Sequence, residues 1–166
     1  NKNLWSPWRY EYLRNLEQEK KDSREISCDE PNFIAKYWDK PSQDEQNFVL
    51  YRNDKGIIFL NRYPYANGHL LVAVGHPKPT LLSYSPEDRR SLWELVEMAT
   101  SLIHKKLNPQ GVNIGVNEGQ AAGAGIPQHL HVHVVPRWIG DTNFMSTVGE
   151  VRIIPSSLEE MWALYK

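Results

Sequence analysis

Three histidines alternate with apolar residues in the run His129-Leu130-His131-Val132-His133-Val134-Val135-Pro136. Side chains on an extended strand point alternately to two faces. The run therefore predicts a strand with His129, His131 and His133 on one face and Leu130, Val132 and Val134 on the other. Imidazole is a costly way to fill a core, because each ring brings two nitrogens that need partners. Three in register, just after the glycine-rich stretch 119–125, point to a site rather than to packing.

Composition narrows what that site serves. The chain has 166 residues, 40% of them hydrophobic and 23% charged, which suits one globular domain with a sizeable core. Nineteen basic residues against twenty acidic ones leave a net charge of -1, which argues against broad nucleic-acid binding. No apolar run is long enough to cross a bilayer, so no membrane partner is expected. Cys28 is the single cysteine. It excludes an internal disulfide and a Cys-x-x-Cys zinc site, and a reducing, cytoplasmic setting follows.

Local signals divide the chain into a helical extension over 1–45 and a main domain over 46–166, together one globular unit. Ser6-Pro7 suits a helix start, with Trp5, Trp8, Tyr12 and Leu16 recurring near helical spacing. Residues 33–38 predict a short helix stopped by Pro41. Strand patterns follow at 48–51, 56–60 and 70–74, bounded by turn residues. A long helix is expected from Ser85 as N-cap, with Pro86 at its first position and Glu87 and Asp88 at the positive end of the dipole. Leu92, Leu95, Val96, Ala99, Leu102, Ile103 and Leu107 form one apolar stripe. A strand over 112–117, the histidine strand and a last helix capped by Ser157 and Glu160 complete the order. The class is α+β: a mainly antiparallel five-stranded sheet, one long helix over the face carrying Leu130, Val132 and Val134, and the N-terminal extension.

Two chemistries suit a histidine row. A metal ion is one, but all three rings cannot converge from one regular strand, so His69 or His76 would have to add a ligand. An elongated anion is the other: several donors can follow a polyphosphate, and a glycine-rich loop can turn backbone N–H groups toward it. The loop lacks the Lys-Ser or Lys-Thr of a Walker A motif. Neutral imidazole is a good nucleophile near neutral pH, and His131 stands between two neighbours that can stabilise phosphoryl charge. Arg137 and Trp138 are placed to meet phosphate or base at the rim, or to pack. His76 reads as a surface loop residue and His104 as structural.

The motif His129-Leu-His131-Val-His133-Val-Val resembles that of the histidine-triad (HIT) nucleotide hydrolases and transferases. Asn61-Arg62-Tyr63-Pro64 with Gly68-His69-Leu70-Leu71-Val72 is similar to the family's upstream strand pair. Leu4-Trp5-Ser6-Pro7-Trp8-Arg9, Gly123-Ala124-Gly125-Ile126-Pro127, Val135-Pro136-Arg137-Trp138 and Gly140-Asp141-Thr142-Asn143-Phe144-Met145 resemble the bacterial branch of diadenosine tetraphosphate phosphorylases.

The resemblance implies a HIT-like fold and roles for individual residues. His131 would attack the α-phosphate and carry the nucleotidyl group, His133 would assist the leaving group, His129 would orient its neighbours and His69 would support the triad. Asn61 would bind ribose. Asn117 would lie near the phosphates, at the end of a stretch one residue longer than in some relatives. Gly123 and Gly125 would border the phosphates. Gln128 stands where relatives in the branch often have glycine, and would shape the site mouth. No metal is expected in the protein; magnesium would come with the nucleotide. The implied partners are a nucleotide substrate and a second copy of the chain, as a homodimer or larger homo-oligomer. The implied reaction is cleavage of a dinucleoside polyphosphate at the α-phosphate, with phosphate or water as acceptor. Nucleoside phosphoramidate hydrolysis and nucleotide binding with little turnover are the alternatives.

Overall fold

The computed structural model describes residues 32–142 and 154–166. The elements are α1 (Phe33–Asp39), β1 (Val49–Arg52), β2 (Gly56–Leu60), β3 (Leu70–Val74), α2 (Pro86–Leu107), β4 (Gly111–Val116), β5 (Val132–Arg137) and α3 (Leu158–Tyr165). The five strands form one antiparallel sheet in the order β1-β2-β3-β5-β4. Residues Asn32–Lys166 cluster as one unit. The helix expected from Ser6-Pro7 and the family-like residues Asn143, Phe144 and Met145 lie outside the described residues. No helix among the described residues is long and apolar enough to cross a membrane.

The long helix forms where its caps predict. Ser85 accepts a hydrogen bond from the Asp88 N–H, Pro86 opens the first turn, and Asn108 closes the helix in the left-handed conformation at φ 45°. Leu92, Leu95, Val96, Ala99 and Ile103 are buried against Ile58, Leu60, Leu70, Val72, Val74, Leu130, Val132 and Val134. The apolar side of the histidine run thus faces α2, as its alternation requires. Each such side chain contributes about 1.5–3 kcal/mol on full burial.

The same alternation puts Ile57, Phe59, Leu71 and Ala73 on the opposite face, where Ile34 and Tyr37 of α1 cover them. Phe59 meets the Tyr37 and Phe33 rings edge-on, at 5.6 and 6.2 Å between centroids. Trp38 lies across Gly75, so close that a Cβ there would stand 2.1 Å from the indole. Arg52 fastens α1 from the side, donating to the Tyr37 and Trp38 carbonyls and pairing with Asp44. The triad occupies the part of this face that continues beyond the apolar patch.

The histidine run departs from expectation in one respect. The regular strand begins only at Val132, so His133 alone of the three lies within it; His129 and His131 sit on its approach. The cause is the end of the β3–β5 ladder, whose last pair is Val72 with Val132. Beyond it Leu130 N–H bonds to the Lys78 carbonyl of the following loop, and the His129 ring meets the Val74 carbonyl. Two other strands slide by one residue at both ends: the strand expected at 48–51 is Val49–Arg52, and that at 112–117 is Gly111–Val116. Phe48 cannot start β1, because its φ of 55° is not extended.

Candidate active site

Four histidines and one asparagine are buried together on the open part of the sheet: His69, His129, His131, His133 and Asn61. His69 stands just before β3, and His133 pairs in register with Leu71 of that strand. This brings His69 Nε2 to 3.0 Å from His133 Nδ1. His131 and His133 have ring centroids 5.1 Å apart.

Hydrogen bonds to groups of fixed character assign the protons. The Tyr65 backbone N–H can only donate, and it lies 3.1 Å from His69 Nδ1. Asn61 Nδ2 lies 3.3 Å from the same nitrogen. His69 Nδ1 is therefore the acceptor, and in the neutral ring the proton sits on Nε2. That proton points at His133 Nδ1, so neutral His133 carries its own proton on Nε2. His131 is set the other way. Its Nδ1 lies 2.9 Å from the His129 carbonyl, which can only accept. The His131 proton is on Nδ1, and its Nε2 keeps a lone pair. The site thus presents a nucleophilic nitrogen on His131 beside a hydrogen-bond donor on His133.

His129 is the anchor of this arrangement. Its Nε2 donates to the Val74 carbonyl at 2.7 Å, which uses the one proton of the neutral ring; its Nδ1 meets Asn32 Oδ1 at 3.2 Å, acceptor to acceptor, without a hydrogen bond. Asn32 also caps α1 by accepting from the Ala35 N–H. The ring so fixed holds the carbonyl that holds His131.

Burial keeps these rings neutral. It pushes His129 down to about 4, against the Val74 carbonyl, which favours the charged ring, and with charge on His131 and His76 acting in the same direction as burial. Burial, then charge on His131, pushes His133 to about 4. Burial also lowers His131, against the His129 carbonyl. A neutral His131 is the form that can attack.

The remaining sequence-derived residues lie around this cluster. Asn117 is half-buried, and its Nδ2 reaches the Gly123 carbonyl across the glycine-rich loop at 3.5 Å. Gly123 takes φ 87°, a conformation that favours glycine. Gly125 is exposed with open space around its Cα, and Gln128 is half-buried. Asn61 Oδ1 accepts from the Tyr63 N–H at 2.9 Å, so the amide braces the turn as well as His69. His76 is exposed beside Asp88, and His104 is exposed on α2. Arg137 is not a free phosphate fork: it pairs with both Asp141 oxygens and donates to Asn113 and Thr142. Among the described residues no three His, Cys, Asp or Glu side chains are grouped to hold a metal ion.

Known proteins match this chain in sequence and in fold. The HIT domain profile matches residues 42–138. An AP-4-A phosphorylase of Mycobacterium tuberculosis is 33% identical over 158 residues, 95% of this chain and 78% of the relative. The chain belongs to the HIT family. Among HIT relatives, an asymmetrical bis(5'-nucleosyl)-tetraphosphatase of Schizosaccharomyces pombe is 34% identical over 89 residues, 54% of this chain and 48% of that one. The crystal structure of a Zn-bound histidine triad family protein from Mycobacterium smegmatis superposes with a TM-score of 0.62 at 26% identity, over 78% of this chain and 88% of that one. The family's defining histidines are thus legible in this sequence. Tyr65, Asn32 and the Val74 carbonyl are not. Each joins the site through a contact that no local pattern signals, and Tyr65 reads in the sequence only as part of a turn.

Proposed function

We propose that this HIT protein cleaves a dinucleoside polyphosphate, such as diadenosine tetraphosphate, at the α-phosphate through a nucleotidyl group on His131. The observation that carries this reading is the opposed protonation of the two neighbouring rings: a lone pair on His131 Nε2 and a proton on His133 Nε2. In the first step the His131 lone pair forms a P–N bond, and the P–O bond to the leaving polyphosphate breaks. Charge developing on the leaving oxygen is met by the His133 N–H. The positive charge on the substituted His131 ring is met at Nδ1–H by the His129 carbonyl. In the second step an acceptor oxygen attacks phosphorus and the P–N bond breaks, returning the lone pair to His131.

Inorganic phosphate is our assigned acceptor, supported by likeness over 95% of the chain to a protein named as a phosphorylase. Exposed backbone at Gly123 and Gly125 would border the phosphates, with Asn117 holding the loop, Gln128 at the mouth and Asn61 near ribose. The reading includes a homodimer through β4, which is the sheet edge beyond β5 and leaves Ile114 44% exposed. A lone cysteine favours a reducing compartment, the cytoplasm.

Product analysis with diadenosine tetraphosphate tests the assignment. ADP plus ATP, formed only when inorganic phosphate is present, is the expected result. AMP plus ATP without phosphate would make water the acceptor. No turnover in either mixture would overturn the substrate class and favour phosphoramidates or a binding role.

A further inference from the structure

Beside the triad stands an aromatic residue to which the mechanism above gives no task. The Tyr65 ring lies nearly parallel to the His133 imidazole, 5.4 Å between centroids and 16° between planes. It also tilts against His69, at 4.7 Å and 45°. The backbone N–H of the same residue bonds to His69 Nδ1. One residue therefore touches the His69–His133 relay twice, setting the tautomer through its main chain and covering the outer ring through its side chain.

We propose that Tyr65 is a positioning residue for His133, holding the plane of that imidazole so that its Nε2–H stays aimed at the leaving oxygen. The proposal rests on the reaction assigned above. The need for such a clamp follows from how His133 is held. Its hydrogen bond to His69 fixes one nitrogen, but one hydrogen bond does not by itself set the plane of the ring. His131 bounds the ring at 58°, so it offers no flat support. The parallel face of Tyr65 removes that freedom. Stacking of aromatic rings in this geometry is favourable beyond simple burial. Among the described residues, the rings of His69, His131 and Tyr65 face His133. Tyr63, two residues earlier on the same turn, is 84% exposed and serves as an internal control.

A clamp on a leaving-group donor matters most when the leaving oxygen carries much charge. The test compares wild type, Tyr65→Leu, Tyr65→Phe and Tyr63→Leu on two esters of adenosine 5'-monophosphate, one with phenol and one with p-nitrophenol as leaving group. Phenoxide needs the donor; p-nitrophenoxide needs it much less. Tyr65→Leu is expected to lose about tenfold in kcat on the phenyl ester and less than about twofold on the p-nitrophenyl ester, with KM little changed. Tyr65→Phe, which keeps the ring, rescues the loss, and Tyr63→Leu shows none. Equal losses on both esters, or no loss on either, would overturn the proposal. Imidazole NMR of His133 in the same substrate-free proteins is the second arm. Tyr65→Leu is expected to broaden or split the His133 ring signals, and unchanged signals would overturn the proposal. The assigned reaction stands or falls on turnover of diadenosine tetraphosphate, and if wild type turned over neither ester the NMR arm would still decide whether Tyr65 holds the ring.

Discussion

His69 Nε2 and His133 Nδ1 lie 3.0 Å apart in a buried pair, and that contact decides which nitrogen of His133 bears a proton. The chain of assignment starts at the Tyr65 N–H, which cannot accept, and ends at a proton on His133 Nε2. His69→Ala breaks that chain without touching substrate. We expect a loss of about 10–100-fold in kcat with KM little changed, smaller than the about 10²–10⁴-fold loss expected for His133→Asn. Steady-state kinetics of the two variants check the order. A larger loss in His69→Ala than in His133→Asn would contradict the relay.

Acid should destabilise the protein before its carboxylates titrate. His129 and His133 drop from 6.5 to about 4 on folding, chiefly through burial. Between those values the unfolded chain binds more protons than the folded one, so stability rises with pH across the window. The contribution is complete above pH 6.5 and is lost progressively as pH falls toward about 4. Its size is on the order of a few kcal/mol for the pair. Thermal melts from pH 7.5 down to pH 4.5 should show a falling Tm. A Tm flat over that range would mean that these rings are not held neutral.

Gly75→Ala tests the seat of α1. A Cβ at this position would meet Trp38 ring atoms at 2.1–2.4 Å. The indole has little room to retreat, since the Arg52 guanidinium lies 5.4 Å from its centre. We expect a loss of about 1–3 kcal/mol in denaturant unfolding. An unchanged midpoint would show that Trp38 does not rest on this glycine.

Arg137 is the last residue of β5, the strand that carries His133, and the arginine fork suits phosphate. In the structure its fork is instead turned to Asp141, with Asn113 and Thr142 beside it. Asp141 is correspondingly held well below the usual carboxylate range by its bond to Arg137. Arg137→Ala should leave KM for the polyphosphate within about threefold of wild type and cost at most about 1 kcal/mol, as expected for an exposed pair. A KM raised a hundredfold would return Arg137 to the phosphate site.

Much of this was written in the chain, and the rest was withheld for identifiable reasons. The α2 boundaries rest on Ser85, Pro86, Glu87, Asp88 and Asn108, each of which acts within one turn, so local reading suffices. The two-faced histidine run survives even where the regular strand does not, because burial of Leu130, Val132 and Val134 against α2 enforces alternation. The start of β5 was not legible, since it depends on where β3 diverges, some sixty residues away in sequence. One partner of Arg137 was hidden for the same reason, since Asn113 comes from the neighbouring strand β4, whereas Asp141 and Thr142 follow within five residues. Asn32 joins His129 across 97 positions. Contacts of that range leave no periodic trace in a sequence.

The central claim is that His131 carries the nucleotidyl group, and trapping that group tests it most directly. Full-length protein is mixed with diadenosine tetraphosphate for milliseconds to seconds and quenched in alkali, where phosphorus–nitrogen bonds to histidine persist. Peptide mass spectrometry then locates the adduct. Our account predicts an adenylyl group on His131 that forms within the turnover time, decays on addition of phosphate and is absent in His131→Asn. Turnover with no adduct, or an adduct on another residue that survives in His131→Asn, would contradict it.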